Sequence, residues 1–426
     1  MKFRRPVVAF SIVVAALALT ACGGGSSSSS STSGGGGDKT LSASDAKNPK
    51  GNISWCIGKD TTGAFASMVK LFNDQNSGAK VKLIELPTSA DDQRAQQVQR
   101  LRAKSSECDV LGIDTIWTAE YASQGWIYDL SDWMNANKDK FIGSTVDSAK
   151  FDDKYWAVPF NTNAGFLYYR TDKVKQAPKT WQQVYQDAKS DGHLVYQGSR
   201  YEGLTVNFLE LLYSAGGKAI SDDGKKATID SPEAKSVLEF MQQGVKDGAV
   251  PKAVSTYTEE ESRRAFEAGN AALERQWPYA YSLGLQSPIK GKFKITTLPG
   301  IDGKPGVGVL GGTQLAINAY TDNPGASLAV VNYFTSEVGQ RYIGEGSTPP
   351  VTKAAYQDPA VRKALGLPDE IERAIGAAKP RPVSPVYPQI SQAIYKNVNQ
   401  ALAGRMSTDA AVKAMSSQIQ EALKTF

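Results

Sequence analysis

The chain has 426 residues, 41% hydrophobic and 21% charged, which is enough apolar material for two or three packed cores and excludes a wholly disordered or fibrous protein. Its 48 Lys+Arg against 43 Asp+Glu give +5; taking away Lys2, Arg4 and Arg5, in a segment expected to be removed, leaves 45 against 43, too small an excess to indicate a nucleic acid partner. A lone histidine, His193, argues against a His-rich metal site or a Ser-His-Asp constellation, and its ordinary reading is a solvated helix-end or loop residue.

Met1 to Pro6 carries three positive charges, and Val7 to Ala21 is apolar apart from Ser11 and Thr20, the layout of a secretory signal over residues 1–21. The run is shorter than the roughly 20 residues that span a bilayer. It closes on Leu19-Thr20-Ala21-Cys22, which resembles the bacterial lipobox, so Cys22 is the expected lipidated N-terminus; an ordinary signal peptide with a chance cysteine is the alternative. Gly23 to Gly37 holds only Gly, Ser and one Thr, a flexible tether within 22–51. Tether and anchor together predict a body on the outer face of the cytoplasmic membrane. There Cys56 and Cys108 would meet an oxidising compartment.

In the body, Asn52 to Gly58 reads as a strand, and Phe65, Met68, Val69 and Phe72 place one apolar face on a helix. Lys80 to Leu86 is a second strand, 91–104 a polar helix and Cys108 to Ile113 a third strand, a β-α-β-α-β run that asks for parallel pairing with right-handed crossovers. In strand order 2-1-3, Cys56 and Cys108 start neighbouring strands, which makes a bridge plausible; two buried free thiols are the alternative. Gly165 to Arg170 opens a new unit. Helices start at Thr180 and at Ser231-Pro232, Glu259 to Ala268 is a helix closed by Gly269, and Ala271 to Gln276 is a short strand leading into Trp277-Pro278-Tyr279. The Gly/Pro-rich stretch 299–312 marks a boundary, followed by a strand (314–318), a helix opening at Asn323-Pro324, and two terminal helices, one with Ile390, Ile394, Val398 and Leu402 on one face, the other capped by Ser407.

No phosphate-cradling glycine loop, Gly-x-Ser-x-Gly or zinc-like Cys/His spacing occurs, so no cofactor and no metal are expected. With 43 acidic residues a glycosidase pair is always conceivable, but nothing marks one out. Aromatic residues do stand beside carboxylates, amides and an arginine at turns and strand ends: Asp114 with Trp117, Asn161 and Asn163, Trp277 and Tyr279, the Gly311-Gly312 backbone, and Arg381 between two prolines. Sugars ask for this combination, a C–H face on a ring and hydroxyls on polar partners. Trp126, Trp133 and Trp181 read as core.

The stretches Asn163-Ala164-Gly165-Phe166-Leu167-Tyr168-Tyr169-Arg170, Tyr201-Glu202-Gly203-Leu204, Arg275-Gln276-Trp277-Pro278-Tyr279-Ala280-Tyr281, Leu310-Gly311-Gly312 and 381–388 resemble family 1 extracellular solute-binding proteins of ABC importers, most of all the trehalose/maltose-binding branch. The resemblance covers Asn52 to Phe426. It implies an α/β, two-lobe periplasmic-binding-protein-like fold (type II) with parallel-dominated sheets flanked by helices, lobes of 52–160 plus 312–348 and 161–311 plus 349–426, and a hinge of crossing strands. It further implies a monomer that captures an α-linked disaccharide and hands it to the permease subunits, without catalysis. Carried over by position, Asp114 would accept sugar hydroxyls, Trp277 and Tyr279 would stack, Glu259 would add a carboxylate, Gly312 and Thr313 main-chain contacts, and Arg381 donors. Asp60, Ser89, Arg94, Asn161 and Asn163 complete the expected set, with Asp60 where relatives often present Glu and Asn163 where they often present Asp. A neutral amide both donates and accepts, so the cargo can differ from theirs; another oligosaccharide, a polyol or a glycerophosphodiester, met by Lys59, Arg94 and Arg381, is the alternative, and a secreted glycosidase a more distant one.

Overall fold

The structure is a computed structural model that describes residues 39–46, 50–76 and 78–425; the expected signal peptide, Cys22 and the stretch 23–37 lie outside them. The strands are β1 (Gly51–Gly58), β2 (Ala79–Leu86), β3 (Val110–Asp114), β4 (Lys150–Phe151), β5 (Lys154–Tyr155), β6 (Val158–Asn163), β7 (Phe166–Arg170), β8 (Leu194–Val195), β9 (Leu273–Gln276), β10 (Phe293–Thr297) and β11 (Gly311–Ile317). They form a five-stranded sheet, β2-β1-β3-β11-β6, a four-stranded sheet, β10-β7-β9-β8, and the ribbon β4-β5.

The expected 2-1-3 order holds, with β1 parallel to both neighbours. Strand alternation explains how β1 serves two cores at once. Ile53, Trp55 and Ile57 pack with Phe65, Met68, Val69 and Phe72 of the helix Ala64–Gln75, while Cys56 faces Val98 and Leu101 of the helix Ala90–Arg102 on the other side. Cys108 reaches that same face, and the two cysteines are bridged with their Cα atoms 5.6 Å apart.

The pairing is mixed rather than parallel-dominated. Strand β11 returns antiparallel to both β3 and β6, and in the second sheet β7 is antiparallel to β9 and β10, leaving β8 with β9 as its one parallel pair. Strand β7 follows β6 after two residues but joins the other sheet, so the chain changes sheets at this short link. Strand β7 is buried along its length, and the helix Glu202–Ser214 is buried on all sides. The helices Pro232–Lys246 and Tyr387–Leu402 carry the same core, and the expected face of Ile390, Ile394, Val398 and Leu402 is buried in it.

Helix starts follow the sequence signals. Thr180 accepts from the Gln183 N–H, Ser231 from Ala234 with Pro232 next, and Ser407 from Ala410. Exposed His193 lies between the helix Trp181–Asp191 and β8, its Nδ1 3.0 Å from the Gly248 carbonyl oxygen. The chain passes between the sheets at Ala164-Gly165 and again between β10 and β11. The boundaries expected at 160/161 and 311/312 fall inside β6 and β11, because Asn161 to Asn163 stay paired with β11. Trp126, Trp133 and Trp181 are core residues. So is Trp117, against expectation: it is 2% exposed and stacks on Tyr121, which removes it from any binding surface.

Candidate ligand-binding cleft

Register gathers the first group of candidates. Thr313 of β11 stands opposite Asp114 at the end of β3 and opposite Asn161 of β6, so residues far apart in the chain form one row at the carboxyl edge of the first sheet. The Asn161 side-chain oxygen accepts from the Thr313 N–H at 3.1 Å. Gly312, beside that row, has φ +124°, and a Cβ there would come within 2.3 Å of the Asn161 carbonyl oxygen; only glycine lets β11 bend at this point. On the facing side, β9 ends at Gln276 and delivers Trp277, while the helix Glu259–Glu267 opens with Glu259 and Glu260.

Two adjoining cavities lie between these edges. The inner one, about 180 Å³, is walled by Asp114, Asn163, Glu259, Trp277, Gly312, Thr313 and Arg381, with Gln93, Tyr201 and Glu202. The outer one, about 230 Å³, takes in Lys59, Asp60, Asn161, Asn163, Glu259, Tyr279 and Thr313. Gln93, Asn163, Glu259 and Thr313 face both, so the two chambers form one elongated site on the scale of roughly 300–1,000 Å³ typical for small-molecule pockets.

Arg381 is 5% exposed and works first for the protein. It donates to Asp114 at 2.5 Å, to Glu202 at 2.9 Å and to the Thr115 hydroxyl at 3.1 Å. Burial opposes its charge, but the carboxylates of Asp114 and Glu202 beside it keep the guanidinium protonated. Glu202 also accepts from Tyr387 at 2.6 Å and from Ser391. Burial nonetheless pushes the Glu202 carboxyl up to about 7, with Arg381 pulling the other way. Burial likewise raises Glu259, against the Tyr201 hydroxyl, its own backbone N–H, Arg275 and Trp277, all of which favour its charged form.

Asp60 spends both oxygens on its own loop, accepting from the Thr62 N–H and hydroxyl and from the Phe65 N–H, which fixes the start of the helix Ala64–Gln75. The Tyr279 hydroxyl donates to Glu260 at 2.8 Å, and Glu260 is paired with Arg263, so the ring is held with its polar end anchored. Asn163 makes no side-chain hydrogen bond among the described residues and presents its amide to both chambers.

Two expected residues are not brought into the cleft. Arg94 is committed to Glu120 of the same lobe through a two-point ion pair, and Ser89 caps the helix Ala90–Arg102 by position; neither lines a chamber. Sequence reasoning gave no role to Gln93, Tyr201 and Glu202. The stretch Tyr201-Glu202-Gly203-Leu204 was the available signal for the last two, and Gln93 had none. Among the described residues no group of three or more His, Cys, Asp and Glu side chains could hold a metal ion, and no helix is long and apolar enough to cross a membrane.

Residues 58–341 match the family described as bacterial extracellular solute-binding protein. A probable ABC transporter-binding protein of Deinococcus radiodurans is 36% identical over 369 residues, 81% of this chain and 87% of that protein. A mannitol-binding protein of Pseudomonas aeruginosa is 23% identical over 383 residues, covering 81% and 86%. Among solved structures, maltose-bound T. maritima MalE3 superposes with a TM-score of 0.83 at 32% identity, covering 87% of this chain and 99% of that one.

Proposed function

This chain belongs to the bacterial extracellular solute-binding proteins, and on that premise we propose that it is the exported receptor of an ABC importer for an α-linked disaccharide, trehalose or maltose. The observation that carries the reading is the shape and lining of the cleft: two joined chambers with Trp277 and Tyr279 on one side and Asp114, Asn161, Asn163 and Thr313 on the other. An indole or phenol face takes the C–H side of a pyranose, while carboxylates, amides and backbone groups take its hydroxyls. MalE3 was solved with maltose, and the 32% identity extends over nearly the whole of that chain, which supports a glucose-containing cargo. A tether lipidated at Cys22 would hold the body beside the permease.

Closure is a hinge motion about the crossings between the sheets, one lobe carrying the sheet β2-β1-β3-β11-β6 and the other the sheet β10-β7-β9-β8, with the ligand touching both only when shut. No bond is made or broken. A phosphodiester cargo is disfavoured by the same lining: Arg381 is already shared between Asp114 and Glu202, and Arg94 is held by Glu120. The exposed Lys59 alone of the three is left without a carboxylate partner among the described residues.

Titration calorimetry with maltose, trehalose, mannitol and glycerophosphocholine tests the reading. One of the two disaccharides binds tightest, and Trp277→Ala weakens it by at least about ten-fold, the loss of one ring contact of about 1.5 kcal/mol. Tightest binding of mannitol or the phosphodiester, or release of glucose from either disaccharide, would replace this reading by a rival.

A further inference from the structure

Trp277 is set apart from the other tryptophans. Of the seven in the chain, Trp55, Trp117, Trp126, Trp133, Trp156 and Trp181 are buried, and Trp277 alone is partly exposed, on the wall of the inner chamber. Beneath it lies the guanidinium of Arg275, its Cζ 4.0 Å from the ring centroid. Arg275 is 1% exposed and donates to Glu210 at 2.7 and 2.5 Å and to the Gln197 side-chain oxygen at 3.0 Å. A full ion pair is thus buried behind a ring expected to meet the ligand, a costly arrangement where a Leu and a Met would pack more cheaply.

The same pair lies against both crossings between the sheets. Gly165, between β6 and β7, is so close that a Cβ there would be 2.3 Å from Glu210 Oε1 and 2.6 Å from Arg275 Nη2. Val309, just before β11, donates its N–H to Glu210 Oε1 at 3.4 Å. Two residues further, a Cβ on Gly311 would come within 3.2 Å of the Trp277 ring atoms Cη2 and Cζ3. The guanidinium therefore lies under one face of the ring, and the Cη2–Cζ3 edge lies beside the backbone of a crossing strand.

We infer that the buried Arg275–Glu210 pair is a positioning device that couples the orientation of Trp277 to the two hinge crossings, so that the stacking surface is presented according to the angle between the lobes. The role of Trp277 toward ligand rests on the function proposed above; the coupling of ring to hinge does not. A guanidinium under the inner face also fixes the ring without covering its outer face. Movement of the backbone at Gly165 or Val309 shifts the carboxylate, the carboxylate shifts the guanidinium, and the guanidinium shifts the ring.

Gly165→Ala is the test, since it presses on the pair from the hinge side, is not a chamber-lining residue and leaves every charge in place. The readout is acrylamide quenching of tryptophan fluorescence in ligand-free full-length protein, with Trp277→Phe in each background to isolate the Trp277 signal. Gly165→Ala changes the Trp277 quenching constant by about two-fold or more and weakens disaccharide binding by about five-fold or more, effects on the scale of a desolvated cation–ring contact. Glu210→Gln, which alters the member of the pair that meets Gly165 and Val309, is measured alongside and decides the matter if Gly165→Ala does not fold; it moves the same signal, whereas a merely structural pair would lower the melting temperature and leave Trp277 quenching as in the wild type. An unchanged Trp277 signal in the folded variants overturns the inference. If the wild type binds neither disaccharide, the proposed function fails while the ligand-free quenching result still decides the coupling.

Discussion

Glu274 shows how a single buried side chain shapes the behaviour of the site's support. It is 1% exposed, one oxygen accepts from Ser262 at 2.8 Å and Gln276 at 3.0 Å, and the other has no partner among the described residues. Burial pushes its carboxyl up from 4.5 to about 8, with Glu267 adding to the rise and Ser262, Gln276 and Arg263 opposing it. Between those two values the folded chain holds a proton that the unfolded chain has lost. Stability on this account is complete below pH 4.5, falls as pH rises through the window and levels off above about 8. Glu202, raised to about 7, acts in the same direction over the lower part. Glu274→Gln therefore flattens the decline of the melting temperature between pH 5 and pH 8; a slope equal to that of the wild type would remove Glu274 as its source. Gln276 links this carboxyl to the cleft, since it donates to the Glu259 carbonyl and accepts from the Trp277 N–H.

Among the elements, β1 and β3 show what sequence patterns reveal and where they stop. Alternation in 52–58 and in 80–86, with the i, i+3, i+4, i+7 spacing of Phe65, Met68, Val69 and Phe72 between them, placed two strands and a helix, and the polar helix 91–104 and the strand 108–113 completed the run; the order 2-1-3 entered as the arrangement of doubly wound sheets and was settled by the pairing of β1 with β2 and β3. The bridge between Cys56 and Cys108 then followed from adjacency, with its alternative left open until both cysteines were found on one face. It closes a loop with a sequence separation of 52, so the Cys56→Ser/Cys108→Ser double variant loses about 2–4 kcal/mol in denaturant unfolding under non-reducing conditions; a loss below about 1 kcal/mol would show that the bridge contributes little to stability. Strand β11 was harder to read. Its pairing with β3 and β6 joins segments separated by some two hundred and some one hundred and fifty positions, and no local period records the direction of such a return.

For the whole molecule, one link between the lobes is a hydrogen bond at a helix end. Across the cleft from the first sheet, the Asp91 carboxylate accepts from the Glu202 N–H at 2.9 Å, at the N-terminus of the helix Glu202–Ser214. This carboxylate completes a helix of the other lobe, where a negative group is favoured. Its own carboxyl is raised, by burial first, so the contact is strongest where Asp91 stays ionised. Asp91→Ala shifts the sugar-free protein toward an open form, seen as a larger radius of gyration by small-angle scattering and as weaker apparent affinity, because the closed state is then less populated. An identical radius of gyration would show that the contact carries no weight in closure. What the sequence determined by itself was the α/β class, the first β-α-β-α-β run and the capped helix starts, since periodicity, capping and turn chemistry are written in neighbouring positions; Asp60, Glu259 and Thr313 of the cleft came from the family resemblance, and Gln93, Tyr201 and Glu202 were not singled out. Which of those residues are free to meet a ligand was decided by tertiary structure alone. Trp117 is buried against Tyr121, Arg94 is taken by Glu120, and Arg381 by Asp114, 267 positions away, and by Glu202. Burial and charge pairing depend on which distant segments the fold brings within a few ångströms, and no local pattern in the chain encodes that distance.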